Sequence, residues 1–250
     1  MNPAFSVIIP AHNEEQYIKR CIRSVRRAAL YAGEETEIIV VCNRCTDRTE
    51  EIAASCGART VSNEVRSIAK VRNDGIIAAT GRIIVTIDAD NRMTKGTLRE
   101  IKDLLATGCY IGGGAPLRFE RYSFPLWLND LMCRASFALT GLYCGIFWAE
   151  KETFLAVGGF TDIKAMEDVA TAKALKRYGK SVGKRYGVLK HNYLLNSTRK
   201  YDDLGDWLYF RLLLKNSGAL LKAAFGKTAE LDRLLDKMFY DYNDGARTDL

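Results

Sequence analysis

Within its first hundred residues the chain alternates short, β-branched apolar runs with longer segments of helical periodicity, and few folds accept that order. Phe5 to Ile9, Glu37 to Val41, Ala58 to Val61 and Arg82 to Ile87 read as strands. Between them, Glu14 to Ala32 reads as a helix with Ile18, Cys21, Ile22, Val25 and Ala29 at helical spacing. Asp47 to Ser55, ended by Gly57, Val65 to Ala79 and Thr94 to Ala106 are the other helices. A β-α-β-α order predicts a mostly parallel central sheet covered by helices on both faces.

The second half is less regular. Cys109 to Phe119, Leu142 to Phe147 and Gly187 to Leu194 read as extended, and Glu167 to Tyr178 and Asp203 to Leu214 as helical. Leu231 to Tyr240 fits a final amphipathic helix. No repeat, low-complexity tract or linker divides the chain, so a single α/β domain is expected. Its parts are a first half, residues 1–107, a second half, 108–200, and a C-terminal helical segment, 201–250.

Composition narrows the class. Of 250 residues 48% are hydrophobic and 27% charged, the profile of a soluble globular protein with a sizeable core. Lys and Arg number 37 against 30 Asp and Glu, a net +7 that suits an anionic ligand or surface. The basic residues are dispersed without an aromatic-and-basic array, which argues against nucleic acid. Seven cysteines, an odd number, suit a reducing compartment and not a disulfide framework. Cys42-Asn43-Arg44-Cys45 is a C-x-x-C, yet a zinc site wants a second ligand pair and the two histidines, His12 and His191, stand alone. No signal peptide is read at the start. The longest apolar stretch, Leu131 to Ala149, is interrupted by Arg134 and falls short of a membrane span.

The chemistry begins at Asp88-Ala89-Asp90, directly after the apolar run Ile83 to Ile87. Side chains at i and i+2 of an extended segment share a side. Both carboxylates can therefore converge beyond the strand's carboxyl end, where open α/β sheets bind ligands. Two hard oxygen donors suit Mg²⁺ or Mn²⁺ held together with a phosphate. The plainer alternative is a turn that caps the helix near Thr94. The loop Pro10-Ala11-His12-Asn13-Glu14 lacks G-x-G-x-x-G, and no G-x-x-x-x-G-K-[ST] occurs, which disfavours dinucleotide and P-loop chemistry. Gly112-Gly113-Gly114 lies far from any such context.

Five motifs in order then resemble the family-2 glycosyltransferases of the GT-A fold. Phe5 to Glu15 resembles their opening strand and loop, and Val40 to Thr49 their second strand and nucleoside-binding turn. Arg72-Asn73 before Gly75 resembles the Arg-Asn helix, and Ile87 to Asp90 the metal motif. Gly158-Gly159-Phe160 followed by Glu167-Asp168 resembles the acceptor-side motifs. The likeness runs from about Phe5 to about His191.

The resemblance implies transfer of a sugar from a nucleotide-diphosphate donor to an acceptor hydroxyl, with inversion and with Mn²⁺ or Mg²⁺ as cofactor. It implies donor contacts from Pro10, Ala11, Asn13, Glu14, Asn43, Arg72, Asp88 and Arg199, and metal contacts from Asp88, Asp90 and His191. Asp168 would be the general base, with Glu167 orienting it or the acceptor. Alternatives stay open at several positions. Glu14 equally serves a helix dipole, Asn43 a turn, Arg72 and Arg199 a solvated surface, and His191 a structural contact. Many members carry two acids where this chain has Cys42-Asn43, so the base is not fixed. The acceptor is expected to be a glycan or a lipid-linked molecule, and the protein cytoplasmic. Trp127, Leu128, Leu131, Met132, Phe137 and Leu139, near Arg118, Arg121 and Arg134, would form either a core helix, the favoured reading, or a peripheral contact with the inner membrane surface. The rival functions are a catalytically silent nucleotide-sugar or glycan-binding module on the same fold and a nucleotidylyltransferase, whose glycine-rich first loop is missing.

Overall fold

The computed structural model describes residues 2–163 and 166–215. The element order opens with β1 (Phe5–Ala11), α1 (Ile18–Ala32), β2 (Thr36–Asn43), α2 (Thr49–Ser55), β3 (Arg59–Asn63), α3 (Ile68–Ala78) and β4 (Ile83–Ile87). It continues through β5 (Arg92–Met93), α4 (Thr97–Ala106), β6 (Tyr110–Gly114), β7 (Leu117–Phe119), α5 (Phe124–Thr140) and β8 (Ile146–Glu150). The rest is α6 (Lys151–Ala156), α7 (Glu167–Ser181), β9 (Arg185–Val188), β10 (Leu194–Asn196), α8 (Arg199–Leu204) and α9 (Leu208–Lys215). The helix read over Leu231 to Tyr240 lies outside the described residues.

Seven strands form one sheet in the order β3-β2-β1-β4-β8-β6-β9. β8 alone runs against its neighbours β4 and β6; the other pairs are parallel. Because both faces are covered, the central strands β1, β2, β4 and β8 are largely buried and apolar instead of alternating. Phe5, Val7 and Ile9 pack with α1, α2 and α4 on one face, and Ile8, Ile39 and Ile84 with α3, α6 and α7 on the other. The expected α/β architecture is thus the one observed.

The chain winds outward from β1 through β2 to β3, then returns to place β4 on the other side of β1. That reversal is a topological switch point, and the crevice beyond the carboxyl ends of β1 and β4 is where such sheets bind ligands. A second, three-stranded sheet, β5-β10-β7, stands beside it. β10 runs antiparallel to β5 with Leu195 opposite Arg92, which carries Ser197 to Lys200 back toward Asp90.

Several elements differ from the sequence reading. α1 starts at Ile18, not Glu14, because Asn13 adopts φ 53° and the Glu14 N–H donates to Thr49 Oγ1 (2.7 Å) instead of opening a helix. The helix read over Asp203 to Leu214 is two, parted at Gly205 with φ 89°. The glycines of β6 are packing devices. A Cβ on Gly113 would stand 2.6 Å from the ring of the fully buried Trp148 and 2.1 Å from the Gly187 carbonyl oxygen. That close approach lets Trp148 Nε1 donate to the Gly114 carbonyl (3.1 Å).

The core-helix reading of residues 127–139 is corrected. α5 buries Pro125, Leu126 and Asp130, whereas Phe124, Trp127, Leu131, Met132 and Leu139 are exposed. The helix is anchored by Leu126 alone among these apolar groups, in a small cluster with Phe119, Tyr201, Leu208 and Leu212. No helix among the described residues is long and apolar enough to cross a membrane.

Candidate active site

At the switch point lies a cavity of about 580 Å³. Pro10 and Ala11 enter it from the end of β1, His12 and Glu14 from the loop that follows, Asn43 from the end of β2, and Asp88, Ala89, Asp90 and Asn91 from the segment directly after β4. Arg72 comes from α3, Glu167 and Asp168 from the first turn of α7, and Arg199 and Lys200 from the start of α8. Of the twelve residues read from sequence as site residues, ten line this cavity, and Asn13 and His191 do not.

Arg72 is 8% exposed and uses both terminal nitrogens within the protein. Nη2 donates to Asp88 Oδ1 (2.8 Å) and Nη1 to Glu167 Oε1 (2.9 Å), with the guanidinium 5.1 Å from the centre of the Phe160 ring. It joins the strand-end carboxylate to the α7 carboxylate, and its burial excludes the solvated surface charge that was the alternative. Burial, opposed by the attraction of Asp88 and Glu167, leaves its guanidinium more firmly protonated than usual.

Arg199 makes the second crossing. Its Nη1 and Nη2 donate to Glu14 Oε2 (2.7 Å) and Oε1 (2.6 Å), and its Nε lies 3.1 Å from Asp90 Oδ2. A bidentate fork of this kind is among the strongest side-chain contacts available. Two guanidinium groups contact the Tyr17 ring, Arg199 at 4.9 Å and Arg20 at 4.7 Å from its centre. Arg20 Nη2 also donates to the Asp90 carbonyl (3.0 Å), so the acid motif is held through its backbone as well as its side chains.

Electrostatics separates the acids. Burial pushes the Asp90 carboxyl up, against Arg199 and with Asp88. Glu167 is pushed up by burial too, against Arg72 and with Asp168. Lys200 is pushed down by burial and by Arg199, although Asp90 and Glu14 pull it back. Asp168 differs from its neighbour in having no ion pair among the described residues. Its Oδ1 accepts the Val169 N–H (2.7 Å), and its charge adds to burial in pushing the nearby Cys144 thiol up.

Asn43 has its amide nitrogen committed. Nδ2 donates to Asn63 Oδ1 (2.8 Å), the Val65 carbonyl (2.9 Å) and the Asn63 carbonyl (3.1 Å). All three partners are acceptors, which fixes the amide's orientation and leaves the carbonyl oxygen, an acceptor only, for any ligand.

Two sequence readings are corrected by placement. His191 is exposed, and its backbone N–H donates to Glu100 of α4 (3.2 Å). It precedes β10, at the opposite end from the residues that reach Asp90, so it stands outside the cavity and does not join Asp88 and Asp90. Asn13 turns its Oδ1 to the Thr46 N–H (2.8 Å) and ties two loops together instead of lining the cavity. Asn91, Tyr201 and Tyr209 line it with no signal in the sequence, and His12 lines it beside Glu14. Lys200 lines it too, and its place in the basic run Arg199-Lys200 was the signal that could find it. Among the described residues, the three non-glycine residues at positive φ, Asn13, Arg44 and Met166, all sit in loops at this cavity. Strain of that kind gathers at functional sites.

The donor set suits a hard divalent cation. Asp88 and Asp90 offer oxygens only, and two carboxylates with substrate phosphates make up the usual Mg²⁺ arrangement. No cluster of three or more acidic, histidine or cysteine ligands occurs among the described residues, so phosphate oxygens would have to complete the shell.

Residues 6–161 match the family model for glycosyl transferase family 2. The uncharacterized glycosyltransferase EpsJ of Bacillus subtilis strain 168 is 32% identical over 123 residues, covering 44% of this chain and 35% of EpsJ. The chain thus spans about a third of that relative's length. S. aureus TarS 1-349 in complex with UDP-GlcNAc superposes with a TM-score of 0.60 at 18% identity, over 79% of this chain and 58% of TarS. The mannosyltransferase PcManGT of Pyrobaculum calidifontis, in complex with GDP-Man and Mn²⁺, gives 0.63 at 21% identity, over 78% and 57%. Both likenesses establish the fold.

Proposed function

The chain belongs to glycosyl transferase family 2, and from that premise we propose that it moves a sugar from a nucleotide-diphosphate donor to an acceptor hydroxyl, with inversion. One observation carries the reading. Asp88 and Asp90 face Glu167 and Asp168 across a single cavity, and Arg72 holds one acid of each pair.

In this reading the nucleoside lies along Pro10, Ala11 and Asn43, and Asn43 Oδ1 accepts from an N–H on the base edge. The diphosphate reaches Arg199 and Lys200. Mn²⁺ or Mg²⁺, held by Asp88 and Asp90 with the diphosphate, would neutralise charge on the leaving group. The acceptor enters beside Asp168, which takes the hydroxyl proton as the new C–O bond forms. The old C–O bond breaks on the far side, and its electron pair leaves with the diphosphate. Glu167 is held by Arg72 and therefore positions, whereas Asp168, which has no ion pair among the described residues, can accept the proton.

One surface feature supports a reading of the acceptor class. Phe124, Trp127, Trp207 and Phe210 make a chain of ring contacts 5.4 to 6.3 Å apart on the outside of α5 and α9. Arg118 and Arg134 border Trp127. Aromatic groups beside basic ones suit the headgroup region of an anionic leaflet, and a lipid-linked acceptor at the cytoplasmic membrane face is the reading they support.

A thermal-shift panel of UDP, GDP and other nucleoside diphosphates, with and without Mn²⁺, tests the donor assignment. Binding to the native state alone raises stability. Asp90→Ala should keep the fold and lose the Mn²⁺-dependent part of that shift. An Mn²⁺ effect unchanged in Asp90→Ala overturns the metal assignment, and no shift with any nucleotide overturns the donor reading.

A further inference from the structure

Two cysteines flank the residue that meets the nucleoside end of the cavity. Cys42, next to last in β2, is 3% exposed, whereas Cys45 is half-buried in the turn that follows. Arg44 between them adopts φ 48°, which reverses the chain and brings Cys45 back over the strand end. The register of β1 and β2 fixes where it lands. Ala11 pairs with Cys42, and Cys45 Sγ donates to the Ala11 carbonyl (3.4 Å) and lies 3.8 Å from the Asn43 carbonyl. Cys42 belongs to the buried cluster at this strand end and Cys45 packs against it, so both thiols lie on the same side of the sheet.

The pair is chemically unequal. The neighbouring Cys42 thiol, helped by the Asn13 backbone and His12, outweighs burial and Asp47 and holds Cys45 at about 7. The neighbouring Cys45, with burial, pushes Cys42 far up. A half-buried thiol of low pKa beside a buried one is the division between an attacking and a resolving cysteine. The mechanism proposed above uses neither.

We infer that Cys42 and Cys45 form a reversible dithiol–disulfide couple that controls nucleotide binding through Asn43, the cavity residue enclosed between them. The inference rests on the reading that Asn43 meets the nucleoside. The Cys45 thiolate attacks one sulfur of a low-molecular-weight disulfide and expels one thiolate, leaving a mixed disulfide. Cys42 loses its proton to solvent and attacks the Cys45 sulfur, expelling the second thiolate. Two electrons pass from the cysteine pair to the small disulfide, which departs as two thiols. An S–S bond of about 2.05 Å is shorter than any thiol hydrogen bond. Closing it draws Cys45 off the Ala11 carbonyl and tightens the turn around Asn43, against that residue's bonds to Asn63 and Val65. In a reducing compartment such a bond is transient and suits sensing.

The test uses the full chain, either reduced with dithiothreitol or equilibrated with oxidised glutathione. Each sample is alkylated, digested and read by peptide mass, and its affinity for UDP and GDP is measured by calorimetry. The expected result is a linked Cys42–Cys45 peptide, reversed by dithiothreitol, with nucleotide affinity weakened by about threefold or more. Cys45→Ser should show no oxidant response, and the reversal by dithiothreitol supplies the same control should that variant fold poorly. Absence of the linked peptide overturns the couple. Linkage with unchanged affinity, or an equal loss in Cys45→Ser, overturns the control. If the reduced protein binds neither nucleotide, the donor reading fails and the control with it, while the peptide mass still decides the couple.

Discussion

Arg199 holds Glu14 through two bonds of 2.6 and 2.7 Å across 185 residues of sequence. Their side chains are 12% and 6% exposed, so the pair is nearly enclosed. The contact fastens the loop after β1 to the start of α8 and sets one wall of the cavity. Replacing Arg199 with Met would leave the Glu14 carboxylate buried next to Asp90 without its cation. Breaking a buried pair in this way costs about 3–5 kcal/mol. Urea unfolding should show a loss of that size, largely restored in Glu14→Gln/Arg199→Met. A double variant no more stable than the single one would mean that the fork does not hold the loop.

Asp168 and Glu167 should separate in kinetics. Asp168→Asn keeps the shape and removes the basic site, so transfer should fall by about 10²–10⁴-fold with nucleotide affinity unchanged. Glu167→Gln weakens its hold on Arg72 and should lower transfer less. Full activity in Asp168→Asn with a dead Glu167→Gln would reverse the roles.

Acid stability should depend on Glu37. Burial raises its carboxyl, but bonds from Ser6, from the Thr80 hydroxyl (2.8 Å) and backbone, and from the Gly81 N–H (3.0 Å) outweigh that and hold it below its ordinary value. A depressed carboxyl stabilises the fold above its unfolded-state pKa, and that contribution is lost as pH falls through the folded-state value. Glu37→Gln should therefore be less stable than the parent at pH 6, with the gap closing as pH drops below the usual glutamate range. Denaturant midpoints across that range measure it, and a constant gap would rule the linkage out.

Liposome flotation tests the aromatic ridge. The protein should float with vesicles containing anionic lipid and remain behind with neutral ones. Trp127→Asp/Trp207→Asp should abolish flotation with nucleotide binding intact. A parent protein that never floats removes the membrane from the proposal.

The site was partly legible in the sequence because part of it is local. Asp88 and Asp90 follow an apolar run whose period alone puts both carboxylates at a strand end. The alternation of runs and periodic helices set the covered parallel sheet, and with it the switch point between β1 and β4. The ordered motifs added the family. What the chain determined by itself was the sheet, the ends of its strands and the types of acid waiting there.

Tertiary structure decided the pairings. Nothing near Arg72 in sequence announces that Asp88 and Glu167 share it, and nothing near Glu14 announces Arg199. Such partners meet only after β4, α3, α7 and α8 converge, and a charge meets its partner through space, not along the chain. The same holds for exclusion. His191 has the right chemistry for a metal ligand, but the antiparallel register of β10 on β5 carries it away from Asp90. Cys42 and Cys45 carry no meaning as a spacing until Arg44 turns the chain back and Ala11 fixes where the second sulfur lands. Periodicity and composition are properties of neighbours in sequence, and they fix elements. Distances between side chains on different elements belong to the packed molecule.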